Sequence, residues 1–336
     1  MIKYFLIILL SISSTAYSEL RNDEVNNFIE FMYKKHTYDK SKLRLLFDDV
    51  KTESRIKKFF KKAPERILTW NGCKKLDNNC TNYKNLFVTK SNIKRGLEFW
   101  KSNEKMLSKA KEIFGVPPEI IIAIIGIESK YGKRTGSFKT FDTLASLSLG
   151  ENKGRRAKFY KSELINFLLL CRENNFNPSS IKGSYAGALG KPQFISSSYR
   201  HYAIDFNNDS KTDLWNSNED IIGSVANYFK KNGWLKNEPI MSDIISKDLN
   251  NRYIDSESKK PYKPKTAYSV FKKRDIFTDV NIADSSSLSI IARKEKNEKS
   301  YSFGHKNFYV ITRYNRSRLY ALAVFYLSQE IKKAKS

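Results

Sequence analysis

One carboxylate, Glu128, follows a long apolar run and is the residue best suited to acid–base chemistry. It lies in the segment Gly115-Val-Pro-Pro-Glu-Ile-Ile-Ile-Ala-Ile-Ile-Gly-Ile-Glu-Ser-Lys-Tyr-Gly132. On a helix, Glu128 extends the stripe formed by Ile121, Ile124 and Ile125, which faces the interior. Because solvation is poor there, we expect the pKa of the carboxyl group to rise until the group can hold a proton near neutral pH.

The residues around this run predict where its helix begins and ends. Gly115 can end a preceding helix, Pro118 suits a first helical turn, and Glu119 suits the positively polarised N-terminus. We therefore expect a helix from Pro118 to about Tyr131.

Periodicity alone leaves a second interpretation of Glu128 open. Long charged side chains usually reach water, so the carboxylate could lie exposed at the helix end or pair with Lys130 or Arg134. The sequence that follows Glu128 favours the catalytic interpretation.

Oxygen-bearing side chains alternate in another segment, Asp205-Phe-Asn-Asn-Asp-Ser-Lys-Thr-Asp213. This alternation is typical of a calcium loop, in which carboxylate, amide and backbone oxygens surround the ion. The general pattern fails at its sixth position, where Ser210 replaces glycine, and at its twelfth, where Asn216 replaces glutamate. Judged by the pattern alone, a turn rich in Asp and Asn is favoured, and a calcium site is the alternative.

Helical patterns dominate the chain that must position these side chains. Apolar spacing predicts a helical region at 19–110, and the densest helical pattern, with Gly-rich turns, follows at 111–238. Residues 239–304 are polar and punctuated by proline, and short alternating segments such as 288–292 predict a small β insertion. The final segment, 305–336, returns to helix. The sequence therefore predicts a mainly α protein of the α+β class.

Residues 1–18 have the features of a secretory signal. Lys3 precedes the apolar run Phe5–Leu10, and the small-x-small triplet at 16–18 suits a cleavage site. The apolar run is well short of the ~20 residues that a membrane-spanning helix needs, so a membrane anchor is the less favoured alternative. We expect an exported chain that begins at Glu19, lies in the periplasm and does not span the membrane.

The three cysteines fit an oxidising compartment. Cys73 and Cys80 flank a short polar loop and could form a disulfide. Cys171 lies in an apolar run, so we expect a buried core thiol and not a nucleophile.

Short motifs around and after Glu128 carry a resemblance to a known family. They are Gly126-Ile-Glu-Ser-Lys-Tyr-Gly132, Asp142-Thr-Leu-Ala-Ser-Leu-Ser148, Arg155-Arg156 with the Phe-Tyr-x-x-Glu-Leu that ends at Leu164, Lys182-Gly-Ser-Tyr-Ala-Gly-Ala-Leu-Gly190, Pro192-Gln-Phe-Ile-Ser-Ser-Ser-Tyr199, Ile222-Gly-Ser-Val-Ala-Asn-Tyr-Phe229 and Phe308-Tyr-Val-Ile-Thr-Arg-Tyr-Asn315. The set resembles the membrane-bound lytic murein transglycosylase B family, densely over 115–234 and 303–329. The resemblance implies a lysozyme-like helical core.

The resemblance also implies a reaction. The catalytic Glu of the family motif maps onto Glu128. The implied activity is lytic transglycosylation, which cleaves the β-1,4 bond between N-acetylmuramic acid and N-acetylglucosamine of peptidoglycan glycan strands and closes a 1,6-anhydro ring. It requires no cofactor. A muramidase that hydrolyses the same bond and a wall-binding protein without activity stay open as alternatives.

A muramidase normally needs a second carboxylate near the first. The acids closest in sequence are Asp142, Glu151 and Glu163, and their helical contexts predict helix caps or solvated faces. This favours the transglycosylase.

Substrate-binding residues are implied by the same resemblance. Ser184 and Gln193 can hydrogen-bond sugar hydroxyl or acetamido groups. Tyr314, Asn315 and Tyr320 offer two aromatic faces and an amide to sugar rings, although Tyr320 could instead be a core residue. The small residues between positions 183 and 190 allow close approach of the backbone to a polysaccharide, and their alternative role is helix packing.

Two positions depart from the family pattern. Arg156 is a further binding candidate, but the segment before it is about two residues longer than in the family, and ordinary surface charge is its alternative. Lys191 stands where the family often has tyrosine, so its charge can alter a subsite.

Some family members carry an EF-hand-like loop in the region of Asp205. By resemblance, a structural calcium ion would be held by the oxygens of a set of loop residues and a closing carboxylate on the next helix. These are Asp205, Asn207, Asp209, Lys211 and Asp220.

The chain has a formal net charge of +26 and therefore suits a polyanionic partner. Its 35 acidic residues are interspersed with the basic ones, and no nucleic-acid-binding signature is present, so we do not expect nucleic acid as the partner. A cell wall whose stem peptides carry free carboxylates is the better polyanion. We expect a monomer that binds peptidoglycan glycan strands.

Overall fold

The computed structural model describes residues 20–51, 56, 64–72, 81–150, 154–249, 252–296 and 298–336. The expected signal segment 1–18, the Cys73–Cys80 pair and Glu151 lie outside these residues.

The N-terminal region is helical, as predicted. Its described helices are α1 (Asn22–His36), α2 (Lys40–Asp48), α3 (Pro64–Ile67), α4 (Tyr83–Phe87), α5 (Lys90–Ser102) and α6 (Glu104–Phe114). The buried side chains of this region belong to the same hydrophobic core as the rest of the helical protein. For example, the rings of Phe47 on α2 and Phe141 lie 5.1 Å apart.

The central helix, α7 (Pro118–Ser129), is the one predicted from the apolar run. Every residue from Ile120 to Gly126 is buried, so the helix is enclosed on all sides and does not carry a single interior stripe. It packs against α5, α6, and the helices α11 and α15 described below. It ends two residues earlier than predicted because Lys130 and Tyr131 take left-handed backbone conformations, with φ of 50° and 59°.

The remainder of the helical core follows α7. It contains α8 (Thr140–Leu149), α9 (Arg155–Glu173), α10 (Ser196–Tyr202) and α11 (Asn218–Lys231). Two short antiparallel strands, β1 (Phe138–Lys139) and β2 (Lys182–Gly183), hold the loop before α8 against the loop after α9. Cys171 on α9 is buried, and burial raises the pKa of its thiol to about 12, which confirms the prediction of a core thiol.

The predicted β insertion contains a five-stranded antiparallel sheet. Its strands and short helices are β3 (Met241–Ile245), α12 (Arg252–Ser258), β4 (Thr266–Ala267), α13 (Tyr268–Lys272), β5 (Phe277–Thr278), β6 (Ser287–Lys294) and β7 (Lys299–Gly304). The strand order is β4-β6-β7-β3-β5. A second hydrophobic core, with Ile254, Phe271 and Phe303, lies under this sheet. The domain boundaries given above remain predictions.

Two helices return the chain to the main core. They are α14 (Lys306–Tyr314) and α15 (Arg318–Lys335), and α15 packs along α5 and α7. Throughout the described part of the chain, we find no helix with the length and apolar character needed to cross a bilayer. The result is a mainly helical protein with a small β region, as the sequence predicted.

Candidate active site

The carboxylate of Glu128 meets the hydroxyl of Tyr320 where two core helices come together. Glu128 lies in the last turn of α7, and Tyr320 lies in the first turn of α15, which is capped by the Ser317 side chain. The Tyr320 hydroxyl donates a hydrogen bond to Glu128 Oε1 at 2.5 Å. Tyr320 is 2% exposed, whereas Glu128 keeps part of its side chain accessible. Tyr320 is therefore a core residue and a direct partner of Glu128 at once.

The turn after Glu128 is fixed by hydrogen bonds of its own. Ser129 Oγ accepts from the backbone N–H of Gly132 at 3.0 Å, and the Tyr131 hydroxyl donates to the carbonyl of Asn92 at 3.0 Å. A Cβ at Gly126 would lie only 2.5 Å from that hydroxyl oxygen, so glycine is needed for the tyrosine to fold back over the helix. Within the described residues, Glu128 forms no ion pair, and the alternative of a pair with Lys130 or Arg134 is not realised.

The surroundings of Glu128 favour its protonated form. The pKa of the Glu128 carboxyl is raised to about 7, mainly because the group is buried. The hydrogen bond from Tyr320 lowers this pKa, and the negative charge of Glu65 raises it. The carboxyl group is therefore enclosed enough to be poorly solvated and still reachable from solvent. A group of this kind can donate a proton at neutral pH and take one back as a carboxylate.

Two further residues near Glu128, Glu65 and Tyr83, were not found by sequence reasoning. The Tyr83 hydroxyl donates to Glu65 Oε1 at 2.7 Å, and Tyr83 is fully buried. The negative charge of Glu128 contributes to the raised pKa of the Tyr83 hydroxyl, after burial and Glu65 itself. Both residues come from short helices far before α7 in the chain, and neither lies in a motif that marks it.

Tyr314 stacks on Tyr320, and it lines the same cleft as Gln193. The rings of Tyr314 and Tyr320 are stacked, with centroids 6.3 Å apart and 10° between their planes. The Tyr314 hydroxyl donates to the carbonyl of Pro192 at 2.6 Å. Gln193 Nε2 donates to the carbonyls of Thr135 and Gly190 at 3.1 and 2.9 Å. The cleft has a volume of about 640 Å³.

Ser184 lies in a tight turn of the small-residue segment. Its Oγ accepts from the backbone N–H groups of Ala186 and Ala188 at 3.3 and 3.1 Å, which leaves the hydroxyl proton to be donated elsewhere. Gly187 and Gly190 have φ of 79° and 66°, so the segment is a turn and not a helix. At Gly187 this turn packs closely against a helix, because a Cβ there would lie 2.7 Å from the Leu144 side chain of α8, so the alternative role in helix packing stays open.

Asn315 and Arg156 are both exposed. Asn315 is the residue that follows α14, directly after Tyr314. Arg156 lies in the first turn of α9, where its guanidinium group interacts with the hydroxyl of Tyr160. Their roles in substrate binding stay predictions.

Asp142 and Glu163, two of the acids closest to Glu128 in sequence, accept hydrogen bonds from other segments of the chain. Asp142 Oδ2 accepts from the backbone N–H of Lys51 at 3.3 Å. Glu163 accepts from the backbone N–H and the hydroxyl of Ser197, at 2.9 and 2.8 Å, where α10 begins. Both carboxylates therefore hold neighbouring elements in place, and because both side chains are buried, the expectation of a solvated face is wrong.

The segment that begins at Asp205 forms a loop that is closed by its own side chains. Asp205 accepts from the backbone N–H groups of Asp209 and Ser210 at 3.2 and 2.8 Å. Asn207 Oδ1 accepts from the N–H of Asp209 at 3.1 Å. Ser210 has a φ of 68°, which is the left-handed conformation for which the calcium-loop pattern requires glycine. The turn therefore forms in spite of the serine.

Asp220 on α11 joins the two ends of this loop. It is fully buried, and its two oxygens accept from the N–H groups of Phe206 and Asp213 at 2.8 and 2.9 Å. No three acidic, His or Cys side chains converge on one point within the described residues. An ion in this loop would therefore need the Asn207 amide oxygen and the Lys211 carbonyl as well as carboxylates.

Comparison with known proteins agrees with this fold. A family model described as transglycosylase SLT domain matches residues 21–329. The membrane-bound lytic murein transglycosylase B of Escherichia coli (strain K12) is 34% identical over 319 residues, which are 92% of this chain and 83% of that protein.

Solved structures of lytic transglycosylases have the same fold as this chain. Catenated lytic transglycosylase SltB1 from Pseudomonas aeruginosa superposes with a TM-score of 0.84 at 35% identity, covering 94% of this chain and 99% of that one. The Escherichia coli lytic transglycosylase Slt35, solved in complex with calcium, has a TM-score of 0.80 at 33% identity and covers 94% of each chain. The chain therefore belongs to the transglycosylase SLT domain family and is a lytic transglycosylase that acts on peptidoglycan.

Proposed function

We propose that Glu128 is the one residue that carries out both proton transfers of this reaction. The observation that supports this proposal is the partly accessible Glu128 carboxyl whose pKa is raised to about 7 while Tyr320 holds Oε1 at 2.5 Å. With Oε1 engaged as an acceptor, the transferable proton belongs on Oε2. That proton goes to the glycosidic oxygen between N-acetylmuramic acid and N-acetylglucosamine as the bond breaks.

The second step uses the same carboxyl group as a base. After it has given up its proton, the Glu128 carboxylate takes the proton of the muramoyl C6 hydroxyl, whose oxygen attacks C1 and closes the 1,6-anhydro ring. The enzyme returns to its protonated state, and no water is consumed. These proton transfers need no cofactor.

The remaining candidates have roles in holding the sugar chain. Gln193 uses its amide nitrogen on two backbone carbonyls, so its carboxamide oxygen can accept from a sugar hydroxyl or acetamido N–H. Ser184 can donate its hydroxyl proton, and Tyr314 offers an aromatic face. Asn315 and Arg156, which are exposed, would contact the glycan strand farther from the bond that breaks.

Replacing Glu128 tests this assignment. Glu128→Gln keeps the shape of the side chain and removes the transferable proton, so release of muropeptides from sacculi should fall by at least about a hundredfold while binding to sacculi survives. Glu112→Gln makes the same chemical change at an exposed position and should behave as the wild type. Near-normal turnover by Glu128→Gln would remove Glu128 from the mechanism.

A muramidase is the second candidate function, and one observation favours it. Glu65 is a carboxylate close enough to Glu128 to raise its pKa, and a second carboxylate is what hydrolysis requires. However, Glu65 Oε1 accepts the hydrogen bond of the buried Tyr83 hydroxyl, so this oxygen is less available as a nucleophile or base. The product distinguishes the two reactions, because hydrolysis leaves a reducing end that is heavier than the anhydro end by one water molecule.

We further propose that the loop from Asp205 holds a structural calcium ion. The supporting observations are the turn geometry around Asp205 and the related Slt35 solved with calcium. Side-chain oxygens of Asp205, Asn207, Asp209 and Asp220 and the carbonyl of Lys211 would be the ligands. The ion would stabilise the loop and take no part in the proton transfers.

The location of the protein follows from its substrate and from residues 1–18. Peptidoglycan lies outside the cytoplasmic membrane, and the predicted signal would carry the mature chain to the periplasm, where it would act as a monomer. When the full-length gene is expressed, cell fractionation should find the protein in the periplasmic fraction, without residues 1–18. When the codons for these residues are deleted, the protein should stay in the cytoplasm.

A further inference from the structure

The cleft that Gln193 and Tyr314 line has basic side chains and no acidic ones. Three basic side chains line it, namely His201 of α10, Arg313 in the last turn of α14 and Arg316 two residues after that helix. None of its lining residues is an aspartate or a glutamate. The cleft therefore favours an anionic ligand.

The two arginines are available to such a ligand. Neither guanidinium group forms an ion pair with a carboxylate in the described part of the chain. Arg316 is exposed, and Arg313 is partly exposed. The Arg313 guanidinium lies 5.7 Å from the centre of the Tyr309 ring. Guanidinium groups bind carboxylates through paired hydrogen bonds, so two arginines without an acidic partner are well suited to a carboxylate ligand.

The backbone that carries the arginines is fixed to the aromatic wall of the cleft. The Tyr228 hydroxyl of α11 donates to the carbonyl of Arg313 at 2.6 Å. The Tyr228 ring lies 4.8 Å from that of Tyr314 and 4.7 Å from that of Tyr202. The basic groups are thus held at a set position relative to Tyr314, which itself stacks on the Tyr320 that contacts Glu128.

The His201 ring also lines the cleft, with its Nδ1 proton used inside its own helix. Its Nδ1 lies 2.7 Å from the carbonyl of Ser197, and because a carbonyl only accepts, Nδ1 carries the proton. Ser197 and Ser198 on the same helix also line the cleft. The Ser197 hydroxyl donates to Glu163, and the neutral His201 ring has only its acceptor nitrogen free, so selection for an anion in this cleft rests on the two arginines.

We propose that this cleft binds a free carboxylate of the stem peptide on a muramic acid residue next to the bond that Glu128 cleaves. This rests on the proposed function of Glu128, and it names the part of the substrate that the cleft recognises. The N-acetylated sugars of the glycan backbone are uncharged, so the negative charge that the arginines select comes from the peptide. Glycan strands with charged stem peptides are then better substrates than strands with neutral ones.

The test compares two forms of one substrate. Purified glycan strands with stem peptides are divided, and the peptide carboxylates of one half are converted to methylamides, which removes the charge and keeps the bulk. The wild type should show a kcat/KM about threefold to tenfold higher on the charged strands, mainly through KM, and this preference should shrink as salt is added. Arg316→Gln and the double variant Arg313→Gln, Arg316→Gln should bring the ratio of the two kcat/KM values toward one.

Arg252→Gln is the matched control, because Arg252 is an exposed arginine of α12 outside the cleft, and its ratio should equal that of the wild type. A wild type without preference, or a double variant that keeps the preference, would overturn the proposal. Each ratio compares two substrates with the same enzyme preparation, so a loss of folded protein lowers both kcat/KM values equally and leaves the ratio unchanged. The ratio is also independent of whether the product has an anhydro or a reducing end, so a failure of this proposal is distinguishable from a failure of the proposed mechanism.

Discussion

The Tyr320 hydroxyl donates its hydrogen bond to Glu128 Oε1 at 2.5 Å, so the two oxygens of this carboxyl group are chemically distinct. Oε1 is held as an acceptor, and Oε2 is the oxygen that can carry and transfer a proton. Because the bond is stronger to the ionised carboxyl, Tyr320 opposes the rise in pKa that burial causes. The balance between these two effects sets the pH at which the site can act as an acid.

Replacing Tyr320 with phenylalanine should therefore raise the pKa of Glu128 above its value of about 7. The acid form is needed for the first step, so the alkaline limb of the kcat/KM profile should move to higher pH, by about one to two pH units if the full charge-assisted bond is lost. The maximal rate should fall as well, since the carboxyl loses its orientation. The measurement is kcat/KM for muropeptide release as a function of pH, and a limb that stays in place or moves to lower pH would contradict this account of Tyr320.

Replacing Glu65 with glutamine should shift the same limb in the opposite direction. The Glu65 charge raises the pKa of Glu128, so its removal lowers that pKa, and the alkaline limb moves to lower pH. Tyr83→Phe serves as the comparison, because it removes the hydrogen bond to Glu65 and leaves the charge of Glu65 in place. Opposite shifts in Tyr320→Phe and Glu65→Gln exclude a general loosening of the site. If Glu65→Gln abolished activity at every pH, a direct role of Glu65 in the reaction would be supported instead.

Glu128 should also make the stability of the protein depend on pH. Its pKa is raised on folding from 4.5 to about 7, so the folded state holds a proton that the unfolded state has lost between these values. Stability attributable to this group is therefore present below pH 4.5 and decreases as the pH rises through about 7. Relative to wild type, Glu128→Gln should gain as much as about 3 kcal/mol of unfolding free energy at pH 8 compared with pH 4.5.

Urea unfolding of both proteins at the two pH values measures this difference. Other titrating groups cancel because they are common to the two proteins. A difference that does not change with pH would show that folding leaves the pKa of this carboxyl group unchanged.

Calcium should stabilise the folded protein without being needed for turnover. An ion that binds only the folded loop raises the melting temperature by mass action, and a chelator should reverse the effect. Magnesium should do less, because it resists dehydration and demands a tighter octahedral site. Asp209→Asn should weaken the calcium response, since Asp209 is exposed and its loss leaves the Asp220 contacts in place. A melting temperature that is constant across a calcium titration of chelator-treated protein would exclude the calcium site and favour the interpretation as an Asp- and Asn-rich turn.

The sequence allowed the central helix and its carboxylate to be predicted because both depend on local signals. The apolar run, Pro118 and Gly115 lie within one segment, and they specify the helix almost to the residue. The end of the helix differed because Lys130 and Tyr131 adopt left-handed conformations, which no residue type there would have suggested. The all-round burial of the helix follows from the unbroken isoleucine run, which is more than a single stripe requires.

Of the residues close to Glu128, only Tyr320 was predicted from the sequence. Tyr320 was found through a resemblance of motifs, and helical spacing alone would have made it an ordinary core residue. Glu65 and Tyr83 could not be found, because their contact with the site depends on the packing of short helices that are distant in sequence. The charge of the cleft was also hidden, since His201 and Arg313 belong to different helices and only the fold brings them to one cavity.

Mass analysis of the sugars released from purified sacculi tests the central claim most directly. The mechanism through Glu128 predicts muropeptides that end in 1,6-anhydro-muramic acid, with no new reducing ends, and no such products from Glu128→Gln at equal protein concentration. Reducing muramic acid ends as the main product of the wild type would contradict it and would identify hydrolysis, with Glu65 as the first candidate for the second carboxylate.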